Sequence, residues 1–102
     1  MEAIKISEDF RRDPQGKEDG AIFRDIFIMP KLVRSNGKKI IIDFNDCFGF
    51  ATSFIEEVFG GMIRCYGYNK KTILDRIVII SDDDESIPSM IEKYLDKAEK
   101  ER

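Results

Sequence analysis

The chain has no histidine and no tryptophan, and only two of its 102 residues are cysteines. Without histidine it cannot supply a Ser-His-Asp triad, a Cys-His dyad or a His-ligated zinc site from its own residues. Cys47 and Cys65 lie far apart and outside any Cys-x-x-Cys spacing. We therefore expect two free thiols and a reducing, cytoplasmic location.

Positive charge is neither abundant nor clustered. Lys and Arg total 17 against 20 Asp and Glu, and no run of Lys and Arg exceeds two residues. Nucleic-acid binding depends on clustered positive charge that displaces counterions, so we expect no nucleic-acid partner. No apolar stretch approaches the roughly 18 residues of a membrane span, and the first residues lack the features of a signal peptide. We therefore expect no membrane association.

Apolar residues make up 42% of the chain and include eight phenylalanines. A chain of this length buries roughly two thirds of its unfolded surface, which is enough for one hydrophobic core. The sequence therefore predicts a single domain over residues 1–102. It divides into an N-terminal strand and loop over 1–18 and an α/β core over 19–102.

Hydrophobic periodicity alternates between the patterns of strands and helices. Strands are predicted over 3–7, 39–44 and 74–80, with helices from 19 to about 34, over 54–64 and over 87–98, and YGYNKKT as a loop before the third strand. The second strand carries apolar side chains on both sides, which is typical of a central strand with both faces covered. This order predicts an α/β fold, with a mostly parallel sheet and helices packed on it through right-handed crossovers.

Two features interrupt the helical patterns. The first helix has an apolar stripe that includes Ile22, Ile26 and Val33, but Pro30 lacks a backbone donor and is expected to kink or shorten its last turn. In the second helix, Gly60-Gly61 is unfavourable by about 1 kcal/mol per glycine. We expect close approach of a neighbouring helix to compensate, because glycine has no side chain.

The stretch ATSFIEE starts the second helix directly after the central strand. Ligands and switches in open parallel sheets lie at the carboxyl ends of strands, and a helix N-terminus favours anions. Thr52 and Ser53 are therefore candidates for phosphorylation. Ser53 and Glu56 also match a capping box, in which the serine side chain caps the helix. The two interpretations are compatible.

Acidic side chains follow two of the predicted strands. The run 82–85 carries oxygen ligands suited to Mg²⁺ or Ca²⁺, but it lacks the spacing and the glycine of an EF-hand loop. A solvated turn before a helix is the favoured interpretation. Asp43, close to Asp46, is either a general base or metal ligand, or a strand-end hydrogen-bond acceptor. No third catalytic group accompanies the pair, so we favour the acceptor and predict no metal and no cofactor.

The stretch IIIDFNDCFGFATSFIEEVFGGMIR resembles the signature of the STAS-like domain family of unknown function. That signature is a hydrophobic strand ending in Asp, then Ser-Phe, an acidic residue and Phe-Gly-Gly. The matching residues are Asp43, Ser53-Phe54, Glu56 or Glu57, and Phe59-Gly60-Gly61. Upstream, DGAIFRDIFIMPKL resembles the family in Gly20, in Phe23-Arg24 and in its apolar-Pro-x-Leu ending. The resemblance spans roughly residues 19–64.

The resemblance implies a non-catalytic regulatory domain related to antagonists of anti-sigma factors. In those proteins a histidine-kinase-like ATPase phosphorylates a Ser or Thr that opens the second helix. That position falls at Thr52, next to Ser53. We therefore expect a protein partner, with partner-binding candidates Asp43, Phe54, Glu56, Glu57 and Gly60. The alternative is a small-molecule or nucleotide sensor that binds a phosphate at the same helix start. The oligomeric state stays open.

Overall fold

The structure is a computed structural model and describes residues 2–102. Strands β1 (Glu2–Lys5), β2 (Ile40–Asp43) and β3 (Ile77–Ile80) form one parallel sheet in the order β1-β2-β3. The helices are α1 (Gly16–Ile22), α2 (Met29–Arg34), α3 (Thr52–Tyr66), α4 (Lys70–Arg76) and α5 (Ser86–Lys100), and two π-helical segments are π1 (Ile6–Phe10) and π2 (Phe23–Ile28). The predicted α/β fold with a central second strand is confirmed.

The loop predicted at YGYNKKT is wrong, because α4 begins inside it. The Asn69 side chain caps α4 by accepting a hydrogen bond from the Thr72 N–H at 2.8 Å. The third strand consequently starts at Ile77, three residues later than predicted over 74–80. With seven residues, α4 is too short to show a clear apolar stripe, so periodicity alone does not reveal it.

Pro30 does not shorten the first helical region. The chain stays helical from α1 through π2 and α2 to Arg34. At the end of π2 the Met29 N–H donates to the Arg24 carbonyl, five residues back. In an α-helix the proline ring would clash with the carbonyl four residues back, and the wider π-helical turn directly before Pro30 relieves that crowding.

The π-helical turn also changes which side chains face the core. Ile26 and Val33 are 64% and 70% exposed, and Ile22 is 39% exposed, whereas Phe23 and Ile28 are fully buried. The predicted stripe that includes Ile22, Ile26 and Val33 is therefore wrong at these three positions. It assumed 3.6 residues per turn throughout, and a π-helical turn holds more.

The core lies between the helices and one face of the sheet. In the parallel register Ile4 and Ile42 align and are fully buried, whereas Ile41 and Val78 align on the opposite face, half-exposed and outside the core cluster. The prediction that both faces of β2 are covered is wrong. Right-handed crossovers that always step to the next strand in one direction place their helices on the same side of the sheet.

Across residues 2–102, no helix is both long enough and apolar enough to cross a membrane.

Candidate functional site

Helix α3 begins at Thr52, after the loop that follows the carboxyl end of β2. Its N-cap residue is Ala51, in an extended conformation (φ −68°, ψ 136°), and no side chain caps this end. The first turn also contains no acidic residue. The N-terminus of a 15-residue helix therefore keeps its positive dipole end without a compensating side chain.

The capping box predicted from Ser53 and Glu56 does not form. The N–H groups of Phe54 and Ile55 donate to the carbonyl of Ala51, at 3.0 and 3.5 Å, so the helix starts two residues earlier than the box requires. Glu56 instead pairs with Arg64, with 2.7 Å between its Oε2 and the Nη1 of Arg64. The cap interpretation of Ser53 is wrong, because alanine occupies the N-cap position.

The two hydroxyl groups differ in accessibility. Thr52 is exposed, and Ser53 is half-buried. The Ser53 Oγ lies 3.6 Å from the position that a Cβ on Gly16 would occupy, so Ser53 faces the first residue of α1. Thr52 is therefore the hydroxyl group that a modifying enzyme reaches more easily.

The loop before α3 exposes an aromatic side chain. The Phe48 N–H donates to the Arg12 carbonyl at 2.8 Å, which ties this loop to the segment after π1, while 81% of the Phe48 side chain is exposed. Phe50, in contrast, packs its ring 5.8 Å from that of Phe54. Sequence reasoning missed Phe48, because in a chain with eight phenylalanines an exposed ring looks the same as a core ring.

The residues predicted to bind a partner divide between surface and interior. Phe54 is fully buried, and Gly60 is buried as well. Asp43, Glu56 and Glu57 are half-buried. The Phe54 ring belongs to the aromatic core and packs against three other rings. In this conformation only the three carboxylates offer side-chain surface to another molecule.

Glu57 belongs to an ion-pair cluster that joins α3 to π2. Its Oε2 lies 2.6 Å from the Nη1 of Arg24, which also donates to the Glu57 carbonyl at 2.8 Å. The Arg24 Nε donates to Asp25 at 2.8 Å, and the Tyr66 hydroxyl donates to the same carboxylate at 2.7 Å. Arg24 is only 5% exposed, so these bonds satisfy a guanidinium that has little contact with water.

The contacts of the cluster shift the pKa values of Arg24 and Asp25. Burial alone would lower the pKa of Arg24, but its hydrogen bonds to Asp25 and Glu57 outweigh burial and raise that pKa further above neutrality. The pKa of Asp25 is lowered, first by its hydrogen bond with Arg24 and then by that with Tyr66. Arg24 and Asp25 therefore stay charged at physiological pH, and the cluster attaches α3 to its neighbour.

Two glycines make room for this attachment. A Cβ on Gly61 would lie 2.8 Å from the Cζ of Arg24, and a Cβ on Gly20 would lie 2.8 Å from the Phe54 carbonyl oxygen. The predicted close approach to a neighbouring helix is therefore confirmed at Gly61. At Gly60 a Cβ would instead meet the side chain of Arg64, on α3 itself.

A family model described as a STAS-like domain of unknown function (DUF4325) matches residues 19–86, about two thirds of the chain. The chain belongs to this family. The resemblance read from residues 19–64 is thereby confirmed, and the match extends through β3 to the first residue of α5. No curated protein and no solved structure matches the chain.

In this STAS-like domain, Asn45 ties the loop after β2 to the acidic run after β3. Its Nδ2 donates to Asp82 at 3.1 Å, and its Oδ1 accepts from the N–H groups of Asp82 and Asp83 at 2.8 and 3.1 Å. The Asp43 carboxylate accepts a hydrogen bond from the Asn45 N–H at 2.8 Å. Asp43 is therefore a hydrogen-bond acceptor at the end of its strand, the role that the sequence favoured. Within 2–102, no group of three or more Asp, Glu or Cys side chains has the geometry to hold a metal ion.

Proposed function

We propose that this STAS-like domain is a non-catalytic regulatory module that binds another protein at the start of α3, and that phosphorylation of Thr52 or Ser53 controls the binding. The observation that carries the proposal is the exposed Thr52 on an N-terminus with no capping side chain and no acidic residue in its first turn. A phosphate there meets backbone N–H donors and the positive end of the helix dipole, so it is stabilised where it is added.

The docking surface consists of Phe48, Ala51, Thr52 and Glu56, which we call the α3 docking surface. Aromatic side chains at the centre of an interface carry much of the binding energy, and the Phe48 ring is 81% exposed and available for that role. A phosphate on Thr52, four residues along the chain, places about two negative charges beside this anchor. Binding and release are then controlled by charge at the edge of an apolar contact.

The surface cavities favour a protein partner over a small ligand at this site. Two surface cavities have volumes of about 650 and 500 Å³. The first runs along α5 beside Lys93 and Asp96, and the second lies beside Arg34 and Lys39 at the amino end of the sheet. Neither is lined by Thr52. The partner class suggested by the family resemblance is a histidine-kinase-like ATPase, by analogy with antagonists of anti-sigma factors.

A pair of matched substitutions tests whether negative charge is stabilised at Thr52. Ser86 is also the first residue of a 15-residue helix, α5, but it follows the acidic run 82–85. We expect Thr52→Glu to raise the unfolding temperature by a few degrees, since a charge at a helix N-terminus contributes about 0.3–1 kcal/mol. Ser86→Glu should not raise the unfolding temperature, because four carboxylates directly precede Ser86. The rise in unfolding temperature with Thr52→Glu should be smaller at high salt, because salt screens the new charge. Equal destabilisation by both changes would contradict the proposed anion preference.

Partner capture tests the regulation itself. Tagged wild-type protein and the variants Thr52→Glu, Ser53→Glu and Phe48→Ala are compared for what they retain from cell extract. We expect Phe48→Ala to lose the partner and the glutamate variants to change its yield. Ser89→Glu, at an exposed position on α5, is the control and should retain the wild-type pattern. If all variants retain the same proteins in the same amounts, the regulatory proposal is wrong.

The same helix N-terminus supports one alternative, a sensor that binds a ligand phosphate. A ligand that binds only the folded state raises the unfolding temperature, and the rise keeps growing with ligand concentration above the dissociation constant. A panel of nucleotides would therefore reveal a sensor by a rise that Thr52→Glu abolishes and Ser89→Glu keeps. No rise with any nucleotide, together with altered partner capture, would favour protein binding.

A further inference from the structure

One face of the sheet has no helix packed on it. Its side chains, which we call the open sheet face, are Ala3, Lys5, Ile41, Asp43, Val78 and Ile80. Ile41, Val78 and Ile80 are half-exposed and lie outside the core cluster, whereas Ile40 and Ile42, one position away along β2, are fully buried. All-parallel sheets occur almost only with both faces covered, so an apolar face left open needs an occupant.

The charges along β2 indicate what that occupant is. Side chains alternate along a strand, so Lys39, Ile41 and Asp43 belong to the same face. Lys39, which is exposed, is the cationic end, Ile41 the apolar centre and Asp43 the anionic end. A strand with this order is complementary to a copy of itself that runs in the opposite direction.

The two ends of the sheet, which we call its amino and carboxyl rims, carry charges of the same signs as the two ends of β2. The amino rim carries the basic pair Lys38 and Lys39, both exposed. The carboxyl rim carries Asp43 and the acidic run 82–85. The one cation among its strand residues, Lys5, is already paired with Asp46, with 2.7 Å between Nζ and Oδ2. The face as a whole is therefore basic at one end and acidic at the other.

We propose that the open sheet face binds the same face of a second copy of this chain, with the strands of the two sheets antiparallel about a two-fold axis. Lys39 then lies opposite Asp43 of the partner subunit, and Ile41 packs against Ile41 of the partner subunit. A two-fold interface requires one patch to complement itself, and this patch does. The surface is separate from the α3 docking surface, so the inference does not depend on the proposed function.

The area of the open sheet face limits how tightly the two copies can bind. Three strands about 4.8 Å apart, each with four residues at about 3.3 Å, span roughly 200 Å². A standard interface buries about 800 Å² on each subunit, so the charged rims must add to the contact. The face alone supplies about a quarter of that area, so we expect a weak dimer with a dissociation constant of roughly 0.1–1 mM, which weakens further as salt screens the rims.

Sedimentation equilibrium at protein concentrations below and above the expected dissociation constant tests whether the chain forms this dimer. Val78→Lys puts a charge at the apolar centre and should weaken the dimer about tenfold or more. Val33→Lys is the matched control, because Val33 is 70% exposed on α2, away from the open sheet face. It should leave association unchanged within about twofold. Circular dichroism confirms that both variants fold.

A charge exchange tests the antiparallel arrangement. Lys39→Glu alone and Asp43→Lys alone should each weaken association, because like charges then face each other. An equimolar mixture of the two variants should associate again, because every opposed pair in the mixed dimer has opposite charges. If Asp43→Lys does not fold, Asp43→Asn replaces it, since it keeps an oxygen to accept the Asn45 N–H. This change removes the charge opposite Lys39 without reversing it, so its mixture with Lys39→Glu should associate more tightly than Lys39→Glu alone, because each mixed dimer then keeps one pair of opposite charges.

Three results would overturn the inference. The first is a chain that remains monomeric at every concentration at low salt, which would leave the open sheet face to a different protein. The second is equal loss of association in Val78→Lys and Val33→Lys. The third is a Lys39→Glu variant that dimerises as tightly as the wild type. None of these results bears on Thr52 or partner capture, so the two proposals fail separately.

Discussion

A single methyl group at position 61 should remove much of the stability of this STAS-like domain, whereas the same methyl group at position 60 should have almost no effect. Both glycines lie inside α3, so replacing either by alanine gains about the same 1 kcal/mol in helix propensity. The two substitutions therefore differ only in what the new side chain meets. This pair isolates the contribution of the Arg24 cluster from that of the helix.

At Gly61 the new Cβ meets a side chain that has no room to move. It would lie 2.8 Å from the Cζ of Arg24 and 3.2 Å from its Cδ. The side chain of Arg24 is only 6% exposed and is held by Glu57 and Asp25. Disrupting one partner of a buried ion pair is unfavourable by about 3–5 kcal/mol. After the gain in helix propensity, Gly61→Ala should be destabilising by about 2–4 kcal/mol.

At Gly60 the new Cβ meets the ends of two flexible side chains. It would lie 2.6 Å from the Nη1 of Arg64 and 2.9 Å from the Oε2 of Glu56. These side chains are 35% and 20% exposed, and they can shift toward solvent. A pair of this kind contributes at most about 1 kcal/mol, which the gain in helix propensity offsets. We therefore expect Gly60→Ala to be neutral within about 0.5 kcal/mol.

Thermal and urea denaturation, followed by circular dichroism, measure the difference between the two variants. A gap of about 2–4 kcal/mol corresponds to roughly 10–20 °C in unfolding temperature for a domain of this size. In an Arg24→Ala background the clash is absent, so Gly61→Ala should become neutral or slightly stabilising. If Gly61→Ala unfolds at or above the temperature of Gly60→Ala, the cluster does not hold α3 as described.

The remaining predictions concern individual side chains. Asn69→Ala should lower the free energy of unfolding by about 1 kcal/mol, because it removes the cap of α4, and urea denaturation measures this. The exposed Cys65 should react with a thiol reagent well before Cys47, whose pKa rises to about 11 through partial burial and the nearby carboxylates; Cys65→Ser should remove the fast phase. The hydrogen bond to Asp25 raises the pKa of Tyr66, so one tyrosine should ionise late in an ultraviolet titration, and Asp25→Asn should abolish the delay. Because the pKa of Asp25 is lowered in the folded state, its stabilisation is complete above about pH 4 and is lost as pH falls through the lowered value, so Asp25→Asn should weaken the acid dependence of unfolding.

Periodicity predicts the elements that are long and regular. The last predicted helix is confirmed as α5. Of the apolar positions in its helical pattern, Ile87, Ile91, Leu95 and Ala98 are buried, and Met90 and Tyr94 are half-buried. Gly67 ends α3 in the left-handed conformation that favours glycine. Periodicity fails where the backbone leaves the α-helical repeat, because no residue type marks a π-helical turn in advance. The exposed Ile26 follows from that failure.

The candidate site is only partly readable from sequence. The position of Thr52 after β2 follows from the order of the elements, but the cap does not, because Ser53 is a stronger cap by type than Ala51 and still lies inside the helix. The ion pair between Arg24 and Glu57 joins residues 33 positions apart, and no local pattern encodes such a distance. The open face of β2 is likewise invisible, since apolar side chains on both sides of a strand indicate burial without saying which chain buries them.

The family signature includes residues that hold α3 in place. Gly20 and Gly61 let two helices approach, and Arg24 joins them through Glu57. Thr52 is exposed and has no part in these contacts. The pair between Arg24 and Glu57 holds α3 five residues along the helix from Thr52. In the proposed function, a charge added at Thr52 therefore acts on the bound protein and does not displace the helix. A rigid helix with a free, exposed first turn is what a surface switch requires, and the same contacts that make Gly61→Ala so destabilising provide that rigidity.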